Sequence, residues 1–509
     1  MKKRKFNILL NIATLCLCIT AIAFGVYSAK TASLNVSGTI GFTAHNVKAK
    51  IEGFITNYAD SADGAIVTTD TQIIADGGLA LNGGDASFNL GATKGTGTAT
   101  RYFSDLGTSG NPEDIIVKIK ITNTSDFDIL VNVDMANCKA TTTELESIIK
   151  VDYDKSAVVL AKNDNATFTF NVKLLPNSDG SYGNTALTTP TSNNIQLKMN
   201  LEKSAYTQSQ VKTDATIKQF TTAEVTKINS ELSITNNKSY ANVFPYYVEM
   251  GEVNNEKVKW LIVGTSTKDS DNKDQITALT DSDKTPLSQG YMLQDTTYVM
   301  LSEKVLYTNN AKDYKISFQN KYVESGDCLN DYGYAAQDYA TSNIRAYLTG
   351  KSVYAQSTKT NTNYEPNTSL PIVNIMTTYN LETDLLYEKI KGRTLKSLYN
   401  EPAASGNTKD MLIVPTSKTG FTEVDFTGDT QDKLWLMSYT EYHTLLKFTN
   451  YTLPFNTTVI GGGVVTDGIG YFLRSPYIGN DFVLLAVNGG NPSMYAAGDN
   501  RSLRPAFLF

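Results

Sequence analysis

The chain has 509 residues, a net charge of −6 and 41% hydrophobic residues. That length exceeds what one hydrophobic core ordinarily holds, so two folded domains are expected, and the acidic balance argues against a nucleic-acid partner. With 4 cysteines and 2 histidines, a disulfide framework and the usual zinc or serine–histidine sites are improbable, and no H-E-x-x-H, G-x-S-x-G or Walker A pattern occurs.

The chain opens on "MKKRK" and continues with the almost uncharged "FNILLNIATLCLCITAIAFGVY", the pattern of an export signal. The run is long enough to span a bilayer as an uncleaved helix, but the small residues Ser28, Ala29, Ala32 and Ser33 favour cleavage. Residues 1–31 are therefore expected to be a signal peptide or N-terminal anchor, the only part in touch with a membrane, and the product to be secreted or at the cell surface. Cys16 and Cys18 lie inside the run as apolar filler.

Residues 32–203 alternate apolar and polar positions in several runs. "VKIKI" sets Val117, Ile119 and Ile121 on one face; "ILVNVDM" does the same with Ile129, Val131, Val133 and Met135. "FTFNVKL" (Phe168, Phe170, Val172, Leu174) and "IQLKMNL" (Ile195, Leu197, Met199, Leu201) repeat it. A strand with one apolar face needs a second sheet to cover it, so an antiparallel β-sandwich is expected here.

Within this region "ITNTSDFDILV" and, directly after the signal, "ASLNVSGTIGFTAHN" resemble the strand–turn–strand and Ser-Gly-Thr strand of the camelysin and TasA group of exported bacterial matrix proteins. That resemblance covers about the first two-fifths of the chain. It implies a sandwich domain, some relatives of which assemble into biofilm fibres. The metalloprotease activity attributed to one branch is not carried over, because His45 is the region's one histidine and no paired ligand accompanies it.

Residues 204–240 turn polar and read as a linker. Inside it, "TTAEVTKINSEL" places Thr221 and Glu224 at capping-box spacing and Val225, Ile228 and Leu232 at helical intervals, predicting one short amphipathic helix.

From residue 241 to 509 short strand-like runs ("YYVEMGEV", "VKWLIVG", "YVMLSEKVL") alternate with irregular stretches and helical patterns ("SNIRAYLTG", "DKLWLMSYTEYHTLL"), the signature of an α+β domain. The ordered set Trp260-Leu261-Ile262, then Ser342, Ile344, Arg345 and Leu348, then Leu473-Arg474-Ser475-Pro476, then Leu503-Arg504-Pro505-Ala506 resembles a domain of unknown function from secreted proteins of Gram-positive anaerobes. A "MGE" strand at its start and an "R-P-A" strand at its end are similar to the C-type-lectin-like fold, which implies that the two terminal strands share a sheet. "AFLF" then becomes a strand beside "YYVEMGE", with Phe507 and Phe509 on one face and Leu508 on the other. The fold expected overall is mostly β and multidomain, an antiparallel sandwich followed by an α+β, C-type-lectin-like domain.

Arg345, Arg474 and Arg504 are suited to carboxylates or sugar hydroxyls, but placement beside Pro, as in "RSP" and "RP", fits buried ties to loop carbonyls better. Tyr471, Tyr477 and Tyr495 cluster in sequence near these motifs, and aromatic faces stack on sugars. The binding candidates are thus Tyr471, Arg474, Tyr477, Tyr495 and Arg504. Glu365-Pro366-Asn367 imitates a calcium-type lectin motif without the remaining oxygen ligands, and Asp269 to Asp274 in "DSDNKD" reads as a solvated hairpin tip. Cys138 and Cys328 are solitary thiols. No catalytic residue, metal or cofactor is expected. The function expected is a secreted or surface non-enzymatic binding protein for glycan or protein ligands; the alternative is a self-assembling matrix fibre subunit.

Overall fold

The computed structural model describes residues 34–59, 66–74, 77–90, 101–103, 114–147, 149–175, 194–212, 214–231, 239–253, 256–268, 274–304, 316–317, 342–349, 375, 379–393, 432–446, 471–476, 482–486, 492–496, 500–501 and 503–509. Within them the protein is mostly β, in several sheets. The chain divides into two units: Met1–Thr216 with Thr221–Ala223 and Ser288–Tyr291, and Ile217–Phe220 with Glu224–Leu287 and Met292–Phe509. Residues 1–31, where a signal or anchor is expected, lie outside the described residues, and no helix among those described is long and apolar enough to cross a membrane.

The main strands of the first unit are β1 (Leu34–Thr56), β2 (Leu79–Leu90), β3 (Ile115–Asn123), β4 (Ile129–Val133), β5 (Ile149–Tyr153), β6 (Ala157–Leu160), β7 (Asn165–Leu174) and β8 (Asn194–Lys203). They pair in the order β5-β7-β3-β1-β8-β4-β6. β1 is the hinge of this arrangement. Its first half, Ser37 to His45, pairs with β8, and its second half, Ala49 to Thr56, pairs with β3. Between the halves the register against β2 slips from Ala44 to Lys48, and Asn46 takes a positive φ of 54°, a conformation asparagine tolerates better than most residues. β2 runs along the other side of β1 across that bend.

Side-chain alternation appears where the sequence places it. β3 alternates buried and half-buried positions along its whole length, and Val117, Ile119, Ile121, Phe168, Phe170, Leu197, Met199 and Leu201 join one apolar core with Ile40 and Phe42 of β1. Each such side chain, fully withdrawn from water, contributes about 1.5–3 kcal/mol. Two expectations need correcting. β1 and β8 run parallel, so the pairing is mixed rather than antiparallel throughout: alternation fixes which face a residue occupies and carries no information on strand direction. β4 is buried at all five positions, because it is covered on both faces, not one.

The motif "TNTSD" forms a hydrogen-bonded clasp between β3 and β4. Asn123, wholly buried, donates through Nδ2 to the Phe127 carbonyl at 2.8 Å and the Leu160 carbonyl at 2.9 Å, and accepts from Ser125 N at 2.8 Å. Ser125 Oγ donates to the Lys48 carbonyl and accepts from Lys48 N. One turn thereby fixes three chain segments.

The second unit contains β9 (Lys218–Gln219), β10 (Tyr246–Val253), β11 (Glu256–Lys268), β12 (Asp274–Ala278), β13 (Thr297–Ser302), β14 (Trp435–Leu436) and β18 (Pro505–Leu508) in one sheet, ordered β9-β10-β11-β13-β18-β14, with β12 on β11. A separate sheet holds β15 (Tyr471–Pro476), β16 (Phe482–Ala486) and β17 (Pro492–Ala496) in sequence order. Helices include α1 (Thr222–Glu231), a helix where one was expected but with no buried residue and with Thr222 and Ala223 counted in the first unit, then α2 (Asn343–Thr349), α3 (Leu385–Lys389) and α4 (Tyr439–Leu446). β9 comes from the stretch read as linker: Lys218 and Gln219 pair with β10, and Phe220 packs at 4.8 Å from Tyr247.

The C-terminal strand shares a sheet with β10 but is not beside it. β11 and β13 intervene, and β18 pairs with β13 through Val299↔Leu508 and Met300↔Phe507. Phe509 and Tyr298 exchange backbone hydrogen bonds of 2.9 and 3.0 Å. β14 covers the other edge, so Phe507, Leu508 and Phe509 are all buried. Phe507 meets Trp260 edge to face at 4.9 Å.

Candidate functional site

The motif arginines of the second unit converge on a buried layer of charges and rings. α4 begins with a reciprocal cap: Glu441 N donates to Ser438 Oγ at 3.2 Å, and Ser438 N donates to Glu441 Oε2 at 2.9 Å. The same carboxylate receives Arg474 of β15, through Nη1 to Oε2 and through Nη2 to Oε1 at 2.9 Å. Arg393 reaches it from a third segment, with Nη2 at 2.6 Å from Oε1, while its Nε lies 3.5 Å from Asp274 Oδ2. Trp435 lies against both guanidiniums, 4.4 Å from Arg393 and 5.8 Å from Arg474, each within range of a cation–π attraction. Burial by itself would push the Glu441 carboxyl up; Arg393 and Arg474 outweigh it and hold it down at about 2.

A second pair adjoins the first through the backbone. Arg345 of α2 grips Asp432 with Nε at 2.8 Å from Oδ2 and Nη2 at 3.0 Å from Oδ1, a bidentate geometry that lysine cannot supply. Both side chains are 2% exposed. Asp432 in turn exchanges two backbone hydrogen bonds of 3.0 Å with Arg393.

Arg504 occupies a third place. It donates to the Glu303 carbonyl at 3.0 Å and stands 4.9 Å from the Tyr471 ring. Tyr471 meets Tyr442 edge to face, and Tyr240 donates its hydroxyl to Glu303 Oε1. Burial, then the neighbouring Tyr471, pushes the Tyr442 phenol far up; burial, then Glu303, does the same to Tyr240. Around neutral pH these phenols stay protonated and Glu441 stays ionised.

Of the residues singled out in the sequence, Tyr471, Arg474 and Arg504 are buried within this layer. Tyr477 lies outside the described residues; Tyr495 belongs to β17, and its side chain is outside them. Arg474 also donates to the Leu436 carbonyl at 2.8 Å, so both it and Arg504 tie strands to carbonyls. Residues 365–367, Cys328 and Asp269 are likewise outside the described residues. Asp274, read as part of a solvated tip, is instead a buried partner of Arg393 and of Lys268, whose Nζ is 2.8 Å away. Arg393, Asp432, Trp435 and Glu441 were not legible as site residues. The Ser438-x-x-Glu441 spacing is the one local signal that could have found Glu441.

His45 is exposed, and burial pushes the Cys138 thiol up to about 12. No group of three potential metal ligands occurs among the described residues. Neither a protein-family model nor a curated protein matches the chain.

Proposed function

We propose that the protein is an exported, non-enzymatic binding protein of the cell surface or its surroundings, whose second unit is a lectin-like module for a glycan or protein ligand. The observation that carries this reading is the Arg393–Asp432 bridge. Two backbone hydrogen bonds join these residues, and the Arg345 and Glu441 ion pairs anchor them, so Arg393 and Asp432 form one fixed point of the scaffold. We take the sequence between them, residues 394–431, as the candidate ligand-facing segment, because binding residues concentrate between fixed scaffold positions. The lectin-like assignment rests on β10, the "YYVEMGE" strand, and the last strand, β18, lying in one sheet, although two strands separate them. We read the first unit as a sandwich, because β1 passes from one half of the pairing to the other while both halves feed a single core.

The test is a glycan array and a surface-protein pull-down with the exported chain, run beside a variant in which residues 394–431 are replaced by a short Gly-Ser link. Binding by the parent and not by the variant, with native tryptophan fluorescence in both, is the expected result. Silence of the parent in both screens overturns the reading. Filaments seen by electron microscopy under the same conditions would favour the matrix subunit. Deleting residues 32–46 is a poor probe of that alternative, because it removes the half of β1 that pairs with β8 and β2.

A further inference from the structure

Among the described residues of the first unit, the outer edge of β2 is long and, beyond the irregularity at Gly83 and Gly84, carries neither lysine nor proline. β2 pairs with β1 alone, and its outer edge makes no backbone ladder among the described residues. Open edges are ordinarily kept short, or guarded by lysine or proline. β5, at one end of the sheet order, carries Lys150 and Asp152, and β6, at the other, is only four residues long. β2 has twelve residues, LALNGGDASFNL, with Asp85 its single charge.

We propose that this edge pairs with the same edge of a second copy of the chain, antiparallel, about a twofold axis at Ser87. The segment is complementary to itself in that register on both faces. Ala86 and Phe88 lie over the core beside Phe42, with Phe88 at 6.1 Å from the Phe42 ring, and both remain half-exposed. Centred on Ser87, the Phe88 ring of each copy lies opposite Ala86 of the other, which extends the apolar face and withdraws both from water. On the opposite face Asp85, Ser87 and Asn89 are exposed. There Ser87 meets Ser87, and each Asp85 meets Asn89, so the carboxylates never face one another. A register centred on Asp85 would set like charges opposite, which is unfavourable. The contact is isologous and closes on itself: it yields a dimer and not a filament, and it is independent of both readings above.

The experiment is sedimentation of the exported chain over a range of concentrations, with circular dichroism to verify folding of three variants at exposed positions. A reversible dimer is expected. Ser87→Lys places like charges at the axis and Asn89→Asp places them twice against Asp85; each should raise the dissociation constant about tenfold, because opposed like charges are destabilising and about 1.4 kcal/mol is a factor of ten. Asn89→Lys pairs with Asp85 and should lower it several-fold. A monomer at every concentration, or a dimer with the same constant in all three variants, would overturn the proposal.

Discussion

Asn123 is a single side chain holding two strand ends and a distant carbonyl. Its amide donates to Phe127 and Leu160 and accepts from Ser125 with no exposure to water. Replacing it by Ala takes this partner from two carbonyls and an N–H, a loss of about 2–4 kcal/mol from the unit's stability. Asn123→Asp, identical in shape, should do nearly as much harm because a carboxylate cannot donate to either carbonyl. Urea unfolding followed by circular dichroism would show both midpoints shifted together; a shift with Ala alone would mean that shape, not donation, matters. Gly251 makes the complementary case in the second unit. Its φ is +80° at a bulge in β10, and a Cβ there would sit 2.6 Å from Leu381 Cδ2 and 2.8 Å from the Tyr379 carbonyl. Gly251→Ala is therefore expected to lower stability by about 1–3 kcal/mol, read as a lower melting temperature. The glycine of "MGE" is thus required by a close approach of backbone to backbone.

At the scale of elements, the apolar ending of the chain is explained by position. β18 is an interior strand with a partner on each side, so its aromatic residues are enclosed where an edge strand would leave them half wet. Phe507→Ala should cost about 3–5 kcal/mol, and because the ring lies against Trp260, the unfolding curve can be followed by tryptophan emission. An unchanged curve would place the ring outside the core. Legibility in the sequence divides along the same line. Alternation along β3, β7 and β8 revealed which residues enter the core, because the side-chain period of a strand is a local property. Strand order and direction were not legible: the parallel pairing of β1 with β8 and the insertion of β11 and β13 between β10 and β18 depend on contacts between residues far apart in the chain. For the same reason Arg474 and Arg504 could be picked out by their proline neighbours, whereas Arg393 in "KGRT" carries no local mark, and its partners Asp274 and Glu441 lie in other segments.

At the scale of the whole molecule, the two units hold their charges differently, and acid should separate them. In the first unit several ion pairs are exposed, such as Lys118–Asp70 with side chains 37% and 46% exposed, which contribute little and are screened by salt; its most enclosed carboxylate among the described residues, Glu146, meets one lysine, Lys139, that is itself 27% exposed. The second unit encloses Glu441 between two arginines with its pKa held at about 2, well below the ordinary glutamate value of about 4.3. A carboxylate with a depressed folded pKa adds stability that is complete above the unfolded value and is lost as pH falls through that value toward the folded one. The second unit should therefore weaken between about pH 4.5 and pH 2, and protonation of Glu441 would also leave Arg393 and Arg474 buried beside a neutral acid. The chain has 2 tryptophans, Trp260 and Trp435, both in the second unit and both buried. Tryptophan emission accordingly reports on that unit alone, while far-ultraviolet circular dichroism reports on both. On acidification the emission should redden over this window while a large part of the β signal persists. In Glu441→Gln, a variant destabilised at neutral pH because two guanidiniums lose their counter-charge, the acid-dependent part of the transition should shrink. Emission and dichroism changing together, with the same profile in the variant, would mean that other carboxylates govern acid unfolding.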